Sequence, residues 1–107
     1  MSDATAKFFI NKVIPVVVID DAKHAVPLAN TLLQGGVTAI EITLRTAQVF
    51  AAMEDIAKNV PDMLLTAGTA LNKKHLQQVK DVGATLVVSP GISIELLESA
   101  KDLGLVL

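Results

Sequence analysis

The chain has 107 residues, with 51% hydrophobic and 19% charged side chains and a formal net charge of −2. The length is close to that of one domain, and so small a charge gives no reason to expect a nucleic acid or a membrane as partner. The sequence has no cysteine, which excludes a disulfide framework and a thiolate metal site and fits the cytoplasm.

Helical and strand patterns alternate along the chain. Short runs rich in Val, Ile and Leu indicate strands, and apolar residues that recur every three or four positions indicate helices. In chain order, the predicted elements are a helix at 4–12, a strand at 13–19, a helix at 22–34, a strand at 37–43, a helix at 47–59, a strand at 63–67, a helix at 73–82, a strand at 84–88, a helix at 94–103 and the opening of a fifth strand at 105–107. Nearly continuous apolar strands between helices favour a parallel sheet.

Two architectures are compatible with this alternation, since the strand centres lie roughly 20–25 residues apart, as in a β-α repeat. One is a doubly wound open sheet of about five strands. The other is a (β/α)₈ TIM barrel, which needs at least ~200 residues when complete. The pattern alone does not choose between them. The short fifth strand favours the barrel, so we expect residues 1–107 to be the amino-terminal part of one barrel domain, with strands 1–4 and the start of strand 5.

A single acid near the end of an apolar strand is the strongest candidate for chemistry. Glu41 lies close to the carboxyl end of the second predicted strand, and Arg45 follows just beyond it. In both architectures this end of the sheet carries the active site. Glu41 would transfer protons if burial raises its pKa toward neutrality, and Arg45 offers a planar fork for a carboxylate or a phosphate. The alternative, in which Glu41 and Arg45 simply pair with each other, remains open.

Two further segments follow the third and fourth strands, Ala67-Gly68-Thr69 and Ser89-Pro90-Gly91. Gly68 would let a ligand approach the backbone and Thr69 would supply a hydroxyl, although Gly and Pro also mark ordinary turns. His24 and His75 have no partner at metal-ligand spacing, so we interpret them as surface residues and expect no metal. No lysine falls inside a predicted strand, where a desolvated nucleophilic lysine would be expected.

Taken together, these segments form a specific pattern. It consists of Ile14-Pro15-Val16-Val17-Val18, His24-Ala25-Val26-Pro27-Leu28-Ala29, Gly35-Gly36-Val37, Ile40-Glu41-Ile42-Thr43-Leu44-Arg45-Thr46, Ala67-Gly68-Thr69-Ala70-Leu71-Asn72, Gly83-Ala84 and Val88-Ser89-Pro90-Gly91. Over roughly residues 10–107 the chain closely resembles the amino-terminal half of the 2-keto-3-deoxy-6-phosphogluconate (KDPG) aldolase family, which also contains 4-hydroxy-2-oxoglutarate (KHG) aldolases.

The resemblance implies a class I aldolase that cleaves KDPG, a small keto acid, into pyruvate and glyceraldehyde 3-phosphate, or that cleaves 4-hydroxy-2-oxoglutarate. In this family a lysine on a later strand forms an imine with the keto carbon, and no metal or organic cofactor takes part. Glu41 matches the general acid/base, and Arg45 matches the residue that helps bind the pyruvyl carboxylate. Thr69 and Pro90 match residues that line the pyruvate pocket. A complete member is expected to be a homotrimer in the cytoplasm.

The imine-forming lysine and the phosphate-binding region of the family have no counterpart among these residues, so we expect this chain alone to be inactive. The alternative is a half-barrel or flavodoxin-like polypeptide that associates with itself and is not an enzyme. Neither the choice between phosphorylated and unphosphorylated substrates nor the stereochemical preference is determined by this part of the sequence.

Overall fold

The structure is a computed structural model that describes residues 3–107. Its elements, in chain order, are α1 (Asp3–Ile10), β1 (Val16–Val17), a 3₁₀ turn (Ala22–His24), α2 (Ala25–Gln34), β2 (Ala39–Thr43), α3 (Val49–Asn59), β3 (Leu64–Gly68), α4 (Lys73–Asp81), β4 (Leu86–Val87) and α5 (Ile94–Asp102). Within this range, no helix is both long enough and apolar enough to cross a membrane.

The strands form one parallel sheet in the order β1-β2-β3-β4. An isolated parallel bridge joins Leu86 to Val106, so the predicted fifth strand begins beside β4. Each strand therefore pairs with the next one along the chain. A doubly wound sheet reverses its strand order at a switch point, whereas a (β/α)₈ barrel adds strands in sequence. Over residues 3–107 the order is that of the barrel.

One face of the sheet packs against α2–α5. The largest buried side chains in this layer come from β2 and from the helices that follow it, and the core also includes Leu65 and Ala67 of β3 and Val87 of β4. The helices contribute buried residues that recur every three or four positions, the spacing that indicated helices in the sequence: Val49, Ala52, Met53 and Ile56 of α3, and Leu76 and Val79 of α4. Crossovers between parallel strands are right-handed, which places successive helices on the same side when the strand order never reverses.

The opposite face, here called the inner face, carries the residues of the other parity along the strands and directly after them: Val16, Val18, Glu41, Thr43, Thr66, Gly68, Leu86 and Val88. Helix α1 lies near the amino ends of the strands. The Asn11 amide just beyond α1 donates to the hydroxyl of Thr38 at 3.0 Å and its oxygen accepts from the Thr38 N–H at 3.1 Å. The carboxyl ends of the strands are therefore left for a site.

The structure shortens several predicted elements, among them the strand at 84–88, of which Leu86–Val87 remain, and two further elements at the start of the chain. The expected strand at 13–19 is reduced to Val16–Val17, where Pro15 contributes its carbonyl to the Glu41 N–H at 2.9 Å but has no N–H to donate. The helix expected at 22–34 begins as a 3₁₀ turn, whose first residues are capped by the Asp21 carboxylate. Pro27 consequently falls in the first turn of α2, where its missing N–H costs little.

Candidate active site

The carboxyl ends of β2, β3 and β4 are held together by backbone hydrogen bonds that continue past the strands. The Leu44 N–H donates to the Gly68 carbonyl at 2.9 Å, and the Val88 N–H donates to the Ala67 carbonyl at 2.7 Å. The Ala70 N–H in turn donates to the Val88 carbonyl at 3.2 Å. As predicted, three segments that lie far apart in sequence meet along one edge of the sheet.

Glu41 is the acid on the inner face. Its Cα pairs with Val16 on one side and Thr66 on the other, and its carboxylate extends toward the carboxyl end of β3, where it lies against Gly68. The side chain is partly buried, and this burial raises the pKa of the Glu41 carboxyl above its ordinary value. A raised pKa is the direction that suits a group exchanging protons near neutral pH.

Thr66 lies directly beside Glu41, and sequence reasoning missed it. Its side chain is fully buried, and its hydroxyl makes no hydrogen bond within residues 3–107. Such a group is uncommon in proteins, since most buried polar atoms find a partner. A threonine inside an apolar strand gives no signal of its own, but its spacing of two residues from Gly68 places both on the face that carries Glu41.

Arg45 lies in the turn after β2 with an exposed side chain. Its backbone N–H donates to the Thr43 carbonyl at 2.9 Å. Among the described residues there is no ion pair between Arg45 and Glu41, since the ion pairs found there join Lys23 to Asp21 and Lys58 to Glu54. The pairing that sequence reasoning left open is therefore absent, and the guanidinium is free to bind an anion.

Thr69 follows β3 directly and has a φ of 63°. No other residue besides glycine has a positive φ in the described part of the chain. Left-handed backbone is strained for a β-branched residue, and strained conformations of this kind concentrate at functional sites. The hydrogen bonds of Gly68 and Ala70 on either side hold Thr69 in this conformation.

Pro90 is exposed in the loop after β4, where the Gly91 N–H donates to the Ser89 hydroxyl at 3.4 Å. This loop borders a cavity of about 380 Å³, whose lining residues are Val87, Val88, Ser89, Gly91, Ile92 and Leu107. Pro90 thus lies at the carboxyl end of the sheet, one strand away from Thr69, as predicted. Its own side chain is not part of this cavity wall.

The remaining candidates from the sequence lie outside this edge. His24 is exposed, and Nδ1 of His75 accepts from the Leu71 N–H at 3.2 Å, which is a structural role at the start of α4. Within residues 3–107, no group of three or more His, Cys, Asp or Glu side chains is placed to hold a metal ion. All eight lysines are exposed and none lies in a strand, so the described residues offer no desolvated lysine as a nucleophile.

Comparison with known proteins gives a consistent result. The family described as "Aldolase: KDPG and KHG aldolase" matches residues 5–107. The 2-dehydro-3-deoxy-phosphogluconate aldolase of Pseudoalteromonas atlantica is 44% identical over 95 residues, which cover 89% of this chain and 44% of the relative. The KHG/KDPG aldolase of Escherichia coli is 43% identical over 90 residues, which cover 84% of this chain and 42% of the relative.

Solved structures match as well. The KDPG aldolase of Legionella pneumophila, with pyruvate captured at low pH as a covalent carbinolamine intermediate, has a TM-score of 0.91 and 36% identity. That match covers 99% of this chain and 52% of the other. The aldolase of Zymomonas mobilis with 3-phosphoglycerate has a TM-score of 0.87 and 37% identity over 96% of this chain and 49% of the other. The chain thus spans about half the length of the relatives that it matches.

Proposed function

This chain belongs to the KDPG and KHG aldolase family, and we propose that it carries the proton-transfer part of a class I aldolase site. The proposed reaction is the cleavage of 2-keto-3-deoxy-6-phosphogluconate into pyruvate and glyceraldehyde 3-phosphate, with 4-hydroxy-2-oxoglutarate as a further substrate. The observation that carries the proposal is Glu41, a partly buried acid of raised pKa in β2, whose carboxylate extends to Gly68 at the carboxyl end of β3.

Imine chemistry requires one group that moves protons repeatedly near the same carbon atom. Formation of the imine releases water from a carbinolamine, and cleavage of the aldol removes a proton from the hydroxyl group that becomes the aldehyde. In our proposal Glu41 performs both transfers, because partial burial stabilises the protonated form of its carboxyl group relative to the charged form and so raises its pKa. Thr43 and Thr66, the inner-face residues beside Glu41, are buried, which keeps part of the carboxyl group away from water.

We assign three further residues to substrate binding. The exposed Arg45 guanidinium, which has no ion-pair partner in the described structure, would hold the pyruvyl carboxylate through a two-point contact. Thr69 and Pro90 would border the pyruvate pocket from the ends of β3 and β4. If Arg45 holds the pyruvyl carboxylate, the keto carbon of the substrate stays at a fixed distance from Glu41. Contacts that position a substrate in this way lower the barrier to reaction.

The imine-forming lysine is proposed to come from outside residues 1–107. Every lysine of this chain is exposed, and an exposed amine lacks the desolvated surroundings that activate a nucleophilic lysine. As in the family, we propose no metal or organic cofactor, a homotrimer for the complete enzyme and a cytoplasmic location.

Trapping with pyruvate and borohydride tests this division of the site. A longer protein that contains these residues should gain one reduced pyruvyl group on a lysine beyond Leu107, as measured by intact mass and peptide mapping. The 107-residue chain should remain unmodified at 11.3 kDa. An adduct on any of its own lysines would contradict the proposal.

A second candidate function is self-association without catalysis, and the exposed apolar residues of the inner face favour it. Val16 is 63% exposed, Val18 54% and Val88 41%. In addition, β1 has no strand on its outer side within the described residues, and an open edge strand can pair with another chain. A second copy of the chain would cover both features.

A further inference from the structure

Gly68 has an unusually close neighbour. An ideal Cβ atom added to Gly68 would lie 2.6 Å from Oε2 of Glu41, 2.9 Å from its Cδ and 3.0 Å from its Cγ. Distances this short lie inside van der Waals contact, so the two side chains could not occupy the same space. The end of the Glu41 side chain therefore fills the position that any other residue would need at 68.

The backbone gives no separate reason for a glycine here. The glycines with positive φ in the described chain are Gly36, Gly83 and Gly104, and Gly68 is not among them. Gly68 lies in regular strand, paired with Thr43, and its carbonyl accepts the Leu44 N–H. Within a strand, glycine is usually unfavourable. The glycine at this position is therefore explained by the neighbouring Glu41 side chain and not by the backbone conformation.

The register between β2 and β3 shows how the space beside Gly68 affects the position of the Glu41 carboxylate. On the inner face, Glu41 forms a cross-strand pair with Thr66. The next inner-face pair toward the carboxyl ends of the strands is Thr43 with Gly68. The Glu41 side chain thus leans along the strand direction, from its own pair with Thr66 to the position of Gly68. Side chains in strands commonly lean in this way, and here the lean carries the carboxylate from the interior of the sheet to its catalytic edge.

We propose that Gly68 is a positioning residue that holds the Glu41 carboxylate at the substrate edge by leaving open the space that a Cβ would fill. This differs from the sequence expectation, in which Gly68 admits a ligand to the backbone. The inference rests on the proposed role of Glu41 in catalysis, but the position of the carboxylate can be measured without any turnover.

The test is Gly68→Ala in the 107-residue chain, read by carbon-13 NMR titration of the glutamate carboxyl groups. The chain has only four glutamates, and Glu41→Gln identifies the signal of Glu41. Displacement toward solvent should lower the pKa of Glu41 toward that of an exposed glutamate. Gly35→Ala is the matched control, because a Cβ at Gly35 would meet nothing closer than the Leu32 carbonyl at 3.5 Å, and it should leave this titration unchanged.

A comparison made in the Glu41→Ala variant tests the inference even if Gly68→Ala alone does not fold. In Glu41→Ala the obstructing atoms are gone, so adding Gly68→Ala should leave the urea midpoint unchanged or raise it. With Glu41 present, the same substitution should lower the midpoint or prevent folding. Equal effects in both backgrounds, or an unchanged Glu41 titration in Gly68→Ala, would overturn the inference.

Turnover separates this inference from the proposed function. In a longer active protein, Gly68→Ala should lower kcat at least tenfold with a much smaller change in the KM for the keto acid, and it should shift the pH–rate profile. If Glu41→Gln leaves the rate unchanged while Gly68→Ala still moves the Glu41 titration, the positioning is correct and the catalytic role of Glu41 is not.

Discussion

At the scale of single residues, Glu41 and Thr69 both occupy conformations or environments that a folded chain usually avoids. Glu41 keeps a carboxyl group partly away from water, which raises its pKa. Thr69 holds a β-branched residue in left-handed backbone. Each lowers the stability of the fold, and the two meet at one edge of the sheet, since the Glu41 carboxylate lies against Gly68 and Thr69 follows it directly. The cost is consistent with a site selected for chemistry.

Glu41→Gln in a longer active protein should slow turnover by roughly 10²- to 10⁴-fold, the usual contribution of a positioned acid/base. Imine formation with pyruvate should remain detectable by borohydride trapping, since the nucleophilic lysine is untouched. Steady-state kinetics and intact mass measure the two effects. An unchanged rate would remove Glu41 from the mechanism.

The same substitution should change the pH dependence of folding. Because the pKa of folded Glu41 lies above its ordinary value of 4.5, its contribution to stability is fully present below pH 4.5 and is lost as the pH rises through the raised pKa. Glu41→Gln should therefore become more stable relative to the parent chain between pH 4 and pH 7. Urea unfolding at several pH values measures this, with Glu98→Gln on the exposed surface of α5 as control.

Thr69→Gly should increase the free energy of unfolding by on the order of 0.5–1 kcal/mol, because relief of left-handed strain exceeds the entropy cost of a glycine. Thr69→Ala removes the hydroxyl but keeps the Cβ, so it should bring no such gain. If the hydroxyl binds substrate, both variants should raise the KM for the keto acid. A stability gain in Thr69→Ala equal to that in Thr69→Gly would contradict the strain argument.

At the scale of elements, periodicity predicted the helices well. The buried residues of α3 and α4 recur every three or four positions, which is the spacing that indicated these helices, since a helix that covers a sheet needs one apolar stripe. Strand ends were less predictable: β1 and β4 each retain two residues. Strand length is decided by pairing with a neighbour, which a single strand's sequence does not encode.

Helix α1 is attached to the sheet by a small polar contact whose removal is measurable. The Asn11 side chain forms hydrogen bonds with both the N–H and the hydroxyl of Thr38, the residue just before β2. Asn11→Ala should therefore lower the free energy of unfolding by about 1 kcal/mol. Asn59→Ala is the control, because the hydrogen bond of the Asn59 side chain in the described structure goes to the Asp55 carbonyl of its own helix. Equal losses in the two variants, measured by urea unfolding, would argue against a role for Asn11 in docking α1.

At the scale of the whole molecule, the chain is part of a TIM-barrel-type fold, as predicted. The strand order β1-β2-β3-β4 and the match to KDPG aldolase structures agree on this. A barrel encloses its inner face, whereas here Val16, Val18 and Val88 of that face are exposed. Exposed apolar surface of this kind generally marks a contact with other protein.

We expect the 107-residue chain to self-associate through the inner face, and Val18→Lys should shift it toward the monomer. Sedimentation velocity over a range of concentrations measures the distribution. Ile94→Lys is the control, since Ile94 is 75% exposed but belongs to α5 in the outer layer. A monomeric parent chain, or an equal effect of both lysines, would contradict this expectation.

The sequence by itself determined the order of the elements, the buried faces of the helices and the position of Glu41 near a strand end, because periodicity and residue type are local properties. Only the tertiary structure decided that, among residues 3–107, Glu41 has no ion pair with Arg45 and the buried Thr66 beside it has no hydrogen bond. It also decided that the Glu41 carboxylate occupies the space that a Cβ at Gly68 would need. These facts depend on the register between neighbouring strands. Register arises from the packing of the whole sheet, so no segment of the chain contains it.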